Sequence, residues 1–323
     1  MALSVFIISG IGKLNAEASA QSEIAMELTT GTVLTEGNAD ARLPMASTTK
    51  ILTAIIIIED CNLDEEITVP DAAVGVEGSS IYLKKDEKID IRDLLYGLML
   101  RSGNDSAAAL AIHYSGSIEK FAEVMNDRAK KIGAENSSFK NPSGLPDNDH
   151  YTTARDLCKI ACYAMNNPTF KQIVSTINYS GKYKSFANKN KMLRMCEGAN
   201  GVKTGYTVKA GRCLVSSSER NGMDVVCVVL NCSDMYERSC AIIDNCFNKY
   251  KLVKLNENKV FMCGVIPCKL QKSEEIIVKT QNDIQYEVKP INTKANNSEG
   301  DAIAELEVYT ENELLFSRKL YSI

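Results

Sequence analysis

The chain has 323 residues, of which 45% are hydrophobic and 24% charged, with a formal net charge of -4. That length exceeds one ordinary domain, and the composition suits a soluble globular protein with a large core. The slight acidic excess cannot neutralise phosphates, which excludes a nucleic-acid role and gives no reason for tight binding to anionic lipid.

At the N-terminus, Leu3 to Ile11 form an apolar run too short to span a bilayer. Ala18-Ser19-Ala20 follows with the small-residue pattern of a leader cleavage site. The expectation is a secretory signal over residues 1–20, although no Lys or Arg precedes the apolar run. Residues 23–28 then alternate as a strand, Thr30-Gly31 turns the chain, and Thr32 to Leu34 begin the return. Thr48 to Glu59 is a long apolar run led by Ser47. Its β-branched Ile55 to Ile58 would suit a buried strand, but its length favours a helix. Helical spacing recurs over residues 93–100, 106–113, 118–131 and 154–165. Strands follow over 213–217 and 223–230, joined at Arg220-Asn221-Gly222, a hairpin turn signal. Residues 238–250 return to helix.

Strands from both ends thus bracket a helical middle, which predicts an α+β domain over residues 21–252. From about Leu255 the alternation is of β type only, around residues 276–278, 284–288, 304–308 and 314–316, with a polar turn over 290–300. This predicts a small all-β domain over residues 253–323.

The sequence holds eleven cysteines and two histidines, His113 and His150. No CxxC spacing occurs, so a zinc site is not expected, nor is any other metal. Many cysteines lie in apolar runs such as Val225-Val226-Cys227-Val228-Val229 and read as small buried hydrophobes with free thiols.

Three short motifs occur in order: Ser47-Thr48-Thr49-Lys50, Ser102-Gly103-Asn104 and Lys203-Thr204-Gly205. Each alone is weak, and Ser47 by itself would be read as a helix N-cap. Together they suit serine chemistry without histidine. Ser47 and Lys50 are three apart and share a helix face. A serine is a poor nucleophile until a base takes its proton. A lysine serves as that base if burial or a second cation, here Lys203, lowers its pKa. The positive potential of a helix N-terminus near Ser47 favours developing negative charge. Ser102 and Asn104, between two helices, point to proton relay and to a hydrogen bond with a substrate peptide. Gly205 on an edge strand would let a substrate backbone approach and extend the sheet. Lys203 and Thr204 offer donors to a carboxylate. The backbone amides of Ser47 and Tyr206 are the expected oxyanion pair.

With the flanking phrases Leu43-Pro44-Met45-Ala46, Leu100-Arg101 before Ser102, Pro142-Ser143-Gly144-Leu145-Pro146 and Gly201-Val202 before Lys203, the chain resembles the low-molecular-mass penicillin-binding proteins, serine D-alanyl-D-alanine carboxypeptidases. The resemblance covers about residues 22–250. It implies a β-lactamase/transpeptidase-like catalytic domain, an acyl-enzyme on Ser47 with Lys50 as base, and a network completed by Ser102, Asn104 and Lys203. It implies that Thr204 holds the substrate's terminal carboxylate and that Arg238 lies near it. The substrate would be the peptidoglycan stem peptide, with β-lactams as inhibitors, no cofactor, and an extracytoplasmic location. Two departures stand out. Tyr206 replaces the histidine that often follows the third motif, and no amphipathic helix follows the last strand, so no membrane anchor is expected after leader cleavage. A class A β-lactamase is the nearest alternative, but the middle motif is Ser-Gly-Asn rather than Ser-Asp-Asn and no ExxLN stretch occurs. A wall-binding protein that keeps the fold without activity is the other.

Overall fold

The computed structural model describes residues 20–291, 299–311 and 313–323. The expected leader falls outside them except for Ala20, as does most of the polar turn at 290–300.

The chain opens with β1 (Ser22–Glu27) and β2 (Val33–Gly37). A 3-10 turn over Ala46–Thr49 leads into α1 (Lys50–Asp60). The isoleucine-rich run is therefore a helix, and Ile51, Leu52 and Ile55–Ile57 on it are all buried. A short ladder of β3 (Glu66–Thr68) and β4 (Lys88–Asp90) precedes α2 (Ile91–Tyr96). Asp90 caps α2, its carboxylate accepting from the Asp93 amide at 2.6 Å. A π-helical turn over Gly97–Arg101 follows, then α3 (Asn104–Ser115), α4 (Ile118–Ile132), α5 (Ala154–Met165) and α6 (Pro168–Ser175). A small ladder of β5 (Asn178–Ser180) and β6 (Ser185–Ala187) and a single turn α7 (Met192–Met195) lead to β7 (Ala199–Thr207). The hairpin of β8 (Gly211–Arg220) and β9 (Met223–Leu230) comes next, then α8 (Met235–Lys249). Asn221 and Gly222 both take positive φ, 52° and 77°, as a two-residue turn of this kind requires.

The five main strands form one antiparallel sheet in the order β2-β1-β9-β8-β7. Both faces of β9 are covered, which is why it reads as an unbroken apolar run. Val226, Val228 and Leu230 pack with α1 and α5, while Val225, Cys227 and Val229 pack under Ile242, Ile243 and Cys246 of α8. All eleven cysteines are unpaired, and eight of them are buried.

Beyond α8, β10 (Tyr250–Leu255) pairs with β13 (Glu274–Lys279). A second five-stranded sheet joins β11 (Val260–Cys263), β12 (Ile266–Lys269), β16 (Glu313–Ser322), β15 (Ala302–Thr310) and β14 (Ile284–Pro290) in that order. It has its own core around Phe261, Cys268, Ile303, Leu306, Val308 and Leu320. The architecture is thus α+β with a C-terminal all-β part, as expected. The β10 strand and the β11–β12 hairpin were not anticipated; the run Val260 to Cys268 of the hairpin is apolar throughout and carries no alternation to read. Among the described residues, no helix is long and apolar enough to cross a membrane.

Candidate active site

Ser47 is not an N-cap. It lies in the 3-10 turn before α1, where no side-chain cap bond forms. Ala46 takes φ of 49°, unusual for a residue with a Cβ. The turn is pinned from below. Thr48 Oγ1 donates to the Met45 carbonyl at 2.7 Å and Thr49 Oγ1 to the Ala46 carbonyl at 2.8 Å. His150 braces Thr49 in turn, with Nε2 2.8 Å from Thr49 Oγ1. Because His150 Nδ1 accepts from the Lys140 amide at 3.0 Å, the ring's hydrogen sits on Nε2. Burial holds this imidazole's pKa down to about 4, so it remains neutral.

Lys50 is fully buried, and its amine meets three oxygens: Ser47 Oγ at 3.0 Å, Asn104 Oδ1 at 2.7 Å and the Ser143 carbonyl at 2.6 Å. The Asn104 amide has a fixed orientation, because its Nδ2 donates to the Glu77 carbonyl at 2.5 Å. Asn104 Oδ1 and the Ser143 carbonyl can only accept. A neutral amine therefore gives its two N–H bonds to them and keeps its lone pair for the third direction, where Ser47 Oγ lies. Burial, and then the positive charge of Lys203, push the Lys50 pKa well below its ordinary value, while Asp105 opposes them. The arrangement brings an amine of lowered pKa within hydrogen-bond reach of the Ser47 hydroxyl.

The loop that supplies the Ser143 carbonyl is organised by Asn141, whose Oδ1 accepts from the amides of Ser143, Gly144 and Leu145. Gly144 has φ of 84°, and a Cβ there would fall 1.9 Å from the Ala46 carbonyl oxygen. Only glycine lets this loop lie against the nucleophile turn.

Ser102 ends the π-helical turn with φ of 65° and faces the cleft. Behind it, the buried Asp105 carboxylate accepts from Ser80 Oγ and the amides of Ile81, Leu83 and Ser106. That grip ties the Ser79–Leu83 wall to the start of α3.

The third motif lies on β7, the outer strand of the main sheet. A Cβ on Gly205 would stand 3.1 Å from the Ser47 amide nitrogen, so the bare strand abuts the nucleophile turn. Lys203 is buried and donates to the Thr204 carbonyl at 2.9 Å. Burial, with Lys189 nearby, lowers its pKa to about 7. Tyr206 turns its side chain outward and is 65% exposed.

A cleft of about 630 Å³ opens over these groups, lined by Ser47, Ser79, Ser102, Thr204, Gly205 and Tyr206, with Lys189, Arg212, Met235 and Tyr236. The structure therefore brings together the expected residues of all three motifs. Arg238 is not among the lining residues. Its guanidinium holds Glu23 of β1 through two bonds, at 2.8 and 2.6 Å. The arginine that lines the cleft is Arg212. Sequence reasoning passed over Arg212, His150 and Asp105. The first stands beside the third motif and the last beside the second, so proximity to a motif was the available signal.

A serine within hydrogen-bond reach of a buried lysine, beside an open sheet edge, is the geometry of a serine acyl-transfer enzyme of the penicillin-recognising class. The comparisons agree. The sequence pattern described as D-alanyl-D-alanine carboxypeptidase matches residues 11–234. The D-alanyl-D-alanine carboxypeptidase DacF of Bacillus subtilis is 30% identical, over 94% of this chain and 85% of its own length. The solved D-alanyl-D-alanine carboxypeptidase DacD of Francisella tularensis superposes with a TM-score of 0.76 at 25% identity, covering 100% of this chain and 96% of that one. The Streptomyces K15 DD-transpeptidase is 35% identical with a TM-score of 0.67, covering 71% of this chain and 97% of that one. The chain belongs to the serine D-alanyl-D-alanine carboxypeptidase family.

Proposed function

We propose that Ser47 removes the terminal D-alanine from peptidoglycan pentapeptide stems through an acyl-enzyme. The observation that carries this is the buried Lys50 amine, which lies within hydrogen-bond distance of Asn104 Oδ1, the Ser143 carbonyl and, at 3.0 Å, Ser47 Oγ. Ser47 Oγ attacks the carbonyl between the two D-alanines, and Lys50 takes its proton. The Ser47 and Tyr206 amides hold the oxyanion, and each such donor is worth roughly a hundredfold or more in rate. As the C–N bond breaks, the proton passes through Ser102 to the departing amine. Asn104 bonds the stem-peptide backbone, which adds along β7 beside Gly205, and Lys203 keeps Lys50 neutral. Thr204 donates to the free carboxylate of the leaving residue. Water then releases the shortened stem and restores Ser47. β-Lactams acylate the same serine.

The work is done outside the cytoplasmic membrane, by a catalytic unit over residues 21–252 with residues 253–323 as an accessory β domain. Incubation with a synthetic pentapeptide tests the reading. Stoichiometric free D-alanine should appear with the wild type and fall at least about 1,000-fold with Ser47→Ala. Equal release by both would exclude Ser47 as the nucleophile.

A further inference from the structure

We infer that His150 is a positioning residue for the oxyanion hole, acting through Thr49 on the peptide unit between Ala46 and Ser47. The inference rests on the acylation chemistry proposed above and adds to it a side chain 101 residues beyond Thr49 in the chain.

Four groups form one directed chain of hydrogen bonds. The Lys140 amide donates to His150 Nδ1 at 3.0 Å, which leaves the ring's hydrogen on Nε2, 2.8 Å from Thr49 Oγ1. Thr49 has a single hydroxyl hydrogen, and it goes to the Ala46 carbonyl at 2.8 Å. Every donor points toward the nucleophile turn, and each bond polarises the next. His150 and Thr49 are both buried, so neither has bulk water as an alternative partner. Phe139 meets the imidazole ring edge-on, with centroids 5.7 Å apart, and holds its plane.

The chain ends on a peptide whose other end is an oxyanion donor. The Ala46 carbonyl and the Ser47 amide belong to one planar trans unit, in which C=O and N–H point in opposite directions. Their surroundings show the same opposition. The carbonyl oxygen faces the Gly144 loop, where a Cβ would fall 1.9 Å from it, and the amide nitrogen faces β7, where a Cβ on Gly205 would fall 3.1 Å from it. A bond accepted by the carbonyl therefore fixes the direction of the Ser47 N–H and makes it a stronger donor. The unit needs such a hold, because Ala46 has φ of 49°, a conformation that persists only where its surroundings fix it.

The test acylates full-length wild type, His150→Leu, Thr49→Val and the double variant with benzylpenicillin. Two quantities are read: the acylation rate constant and, by infrared difference spectroscopy, the stretching frequency of the ester carbonyl on Ser47, which oxyanion-hole donors lower. Removing such a donor outright costs about 100- to 1,000-fold in rate, and misaiming one should cost at least about tenfold. Each single variant should lose at least that much, and its ester carbonyl should move to higher frequency. The double variant should acylate within about threefold of Thr49→Val, since both changes break one chain. A wild-type ester frequency in folded His150→Leu, whatever its Tm, overturns the inference, as does a double variant whose loss is the product of the two single losses. Should His150→Leu fail to fold, His150→Phe, nearer in shape and equally unable to donate, is read in its place, and a wild-type frequency in Thr49→Val overturns the chain by itself. All of these outcomes leave the carboxypeptidase reading intact. Wild type that forms no adduct with penicillin overturns that reading and this inference with it.

Discussion

A lysine that must accept a proton near neutral pH has to be kept from holding one, and this site does so by taking its amines out of water. Lys50 and Lys203 are both buried, and their pKa values fall, Lys203 to about 7. The same burial works against folding. Between pH 7 and about 10.5 the unfolded chain keeps the Lys203 proton that the folded chain releases, so folding stability rises with pH across that window. Below pH 7 the full cost is present, roughly 5 kcal/mol from the gap between the two values. Lys203→Met should therefore raise stability at pH 6, by that amount less the lost bond to the Thr204 carbonyl, while slowing acylation severely. The gain, measured by urea unfolding, should shrink as the pH approaches 10. A gain of equal size at pH 6 and pH 10 would show that packing, not charge, limits the wild type.

At the scale of elements, the nucleophile turn depends on a loop remote in sequence. The Gly144 Cα hydrogens lie against the Ala46 carbonyl, and the neighbouring Ser143 carbonyl holds Lys50. Gly144→Ala should push this loop away. It would combine a forced contact with a left-handed φ, costing about 1–3 kcal/mol, and should cut the penicillin acylation rate at least tenfold. Wild-type acylation with a lowered Tm would mean that the loop relaxes without disturbing Lys50.

The regular elements around the site were legible in the sequence. The period of residues 154–165 gave α5 to the residue, and Asn221-Gly222 gave the hairpin between β8 and β9. What local pattern could not give is set by packing. The 3-10 turn at Ser47, the π-helical turn before Ser102 and the brace from His150 each depend on partners roughly fifty to a hundred residues away. Arg238 shows the limit from the other side. Its bonds to Glu23 reach a strand 215 residues earlier in the chain, a pairing that no local pattern shows.

For the whole molecule, three cores divide the labour among the described residues. The catalytic groups sit between the main sheet and its helices, and the C-terminal sheet closes its own core around Leu306 and Val308. The Streptomyces K15 DD-transpeptidase matches 71% of this chain with 97% of its own. A fragment of residues 21–252 should fold, and its penicillin acylation rate should lie within about threefold of the full chain's. Loss of acylation in a folded fragment would show that the β domain completes the site.

The central claim, that Ser47 is the acylated nucleophile, is tested most directly by intact-protein mass after addition of benzylpenicillin to wild type and Ser47→Ala. The account predicts a stable adduct of one penicillin on the wild type and none on the variant. Labelling of both proteins, or penicillin left intact and unbound by the wild type, would contradict it.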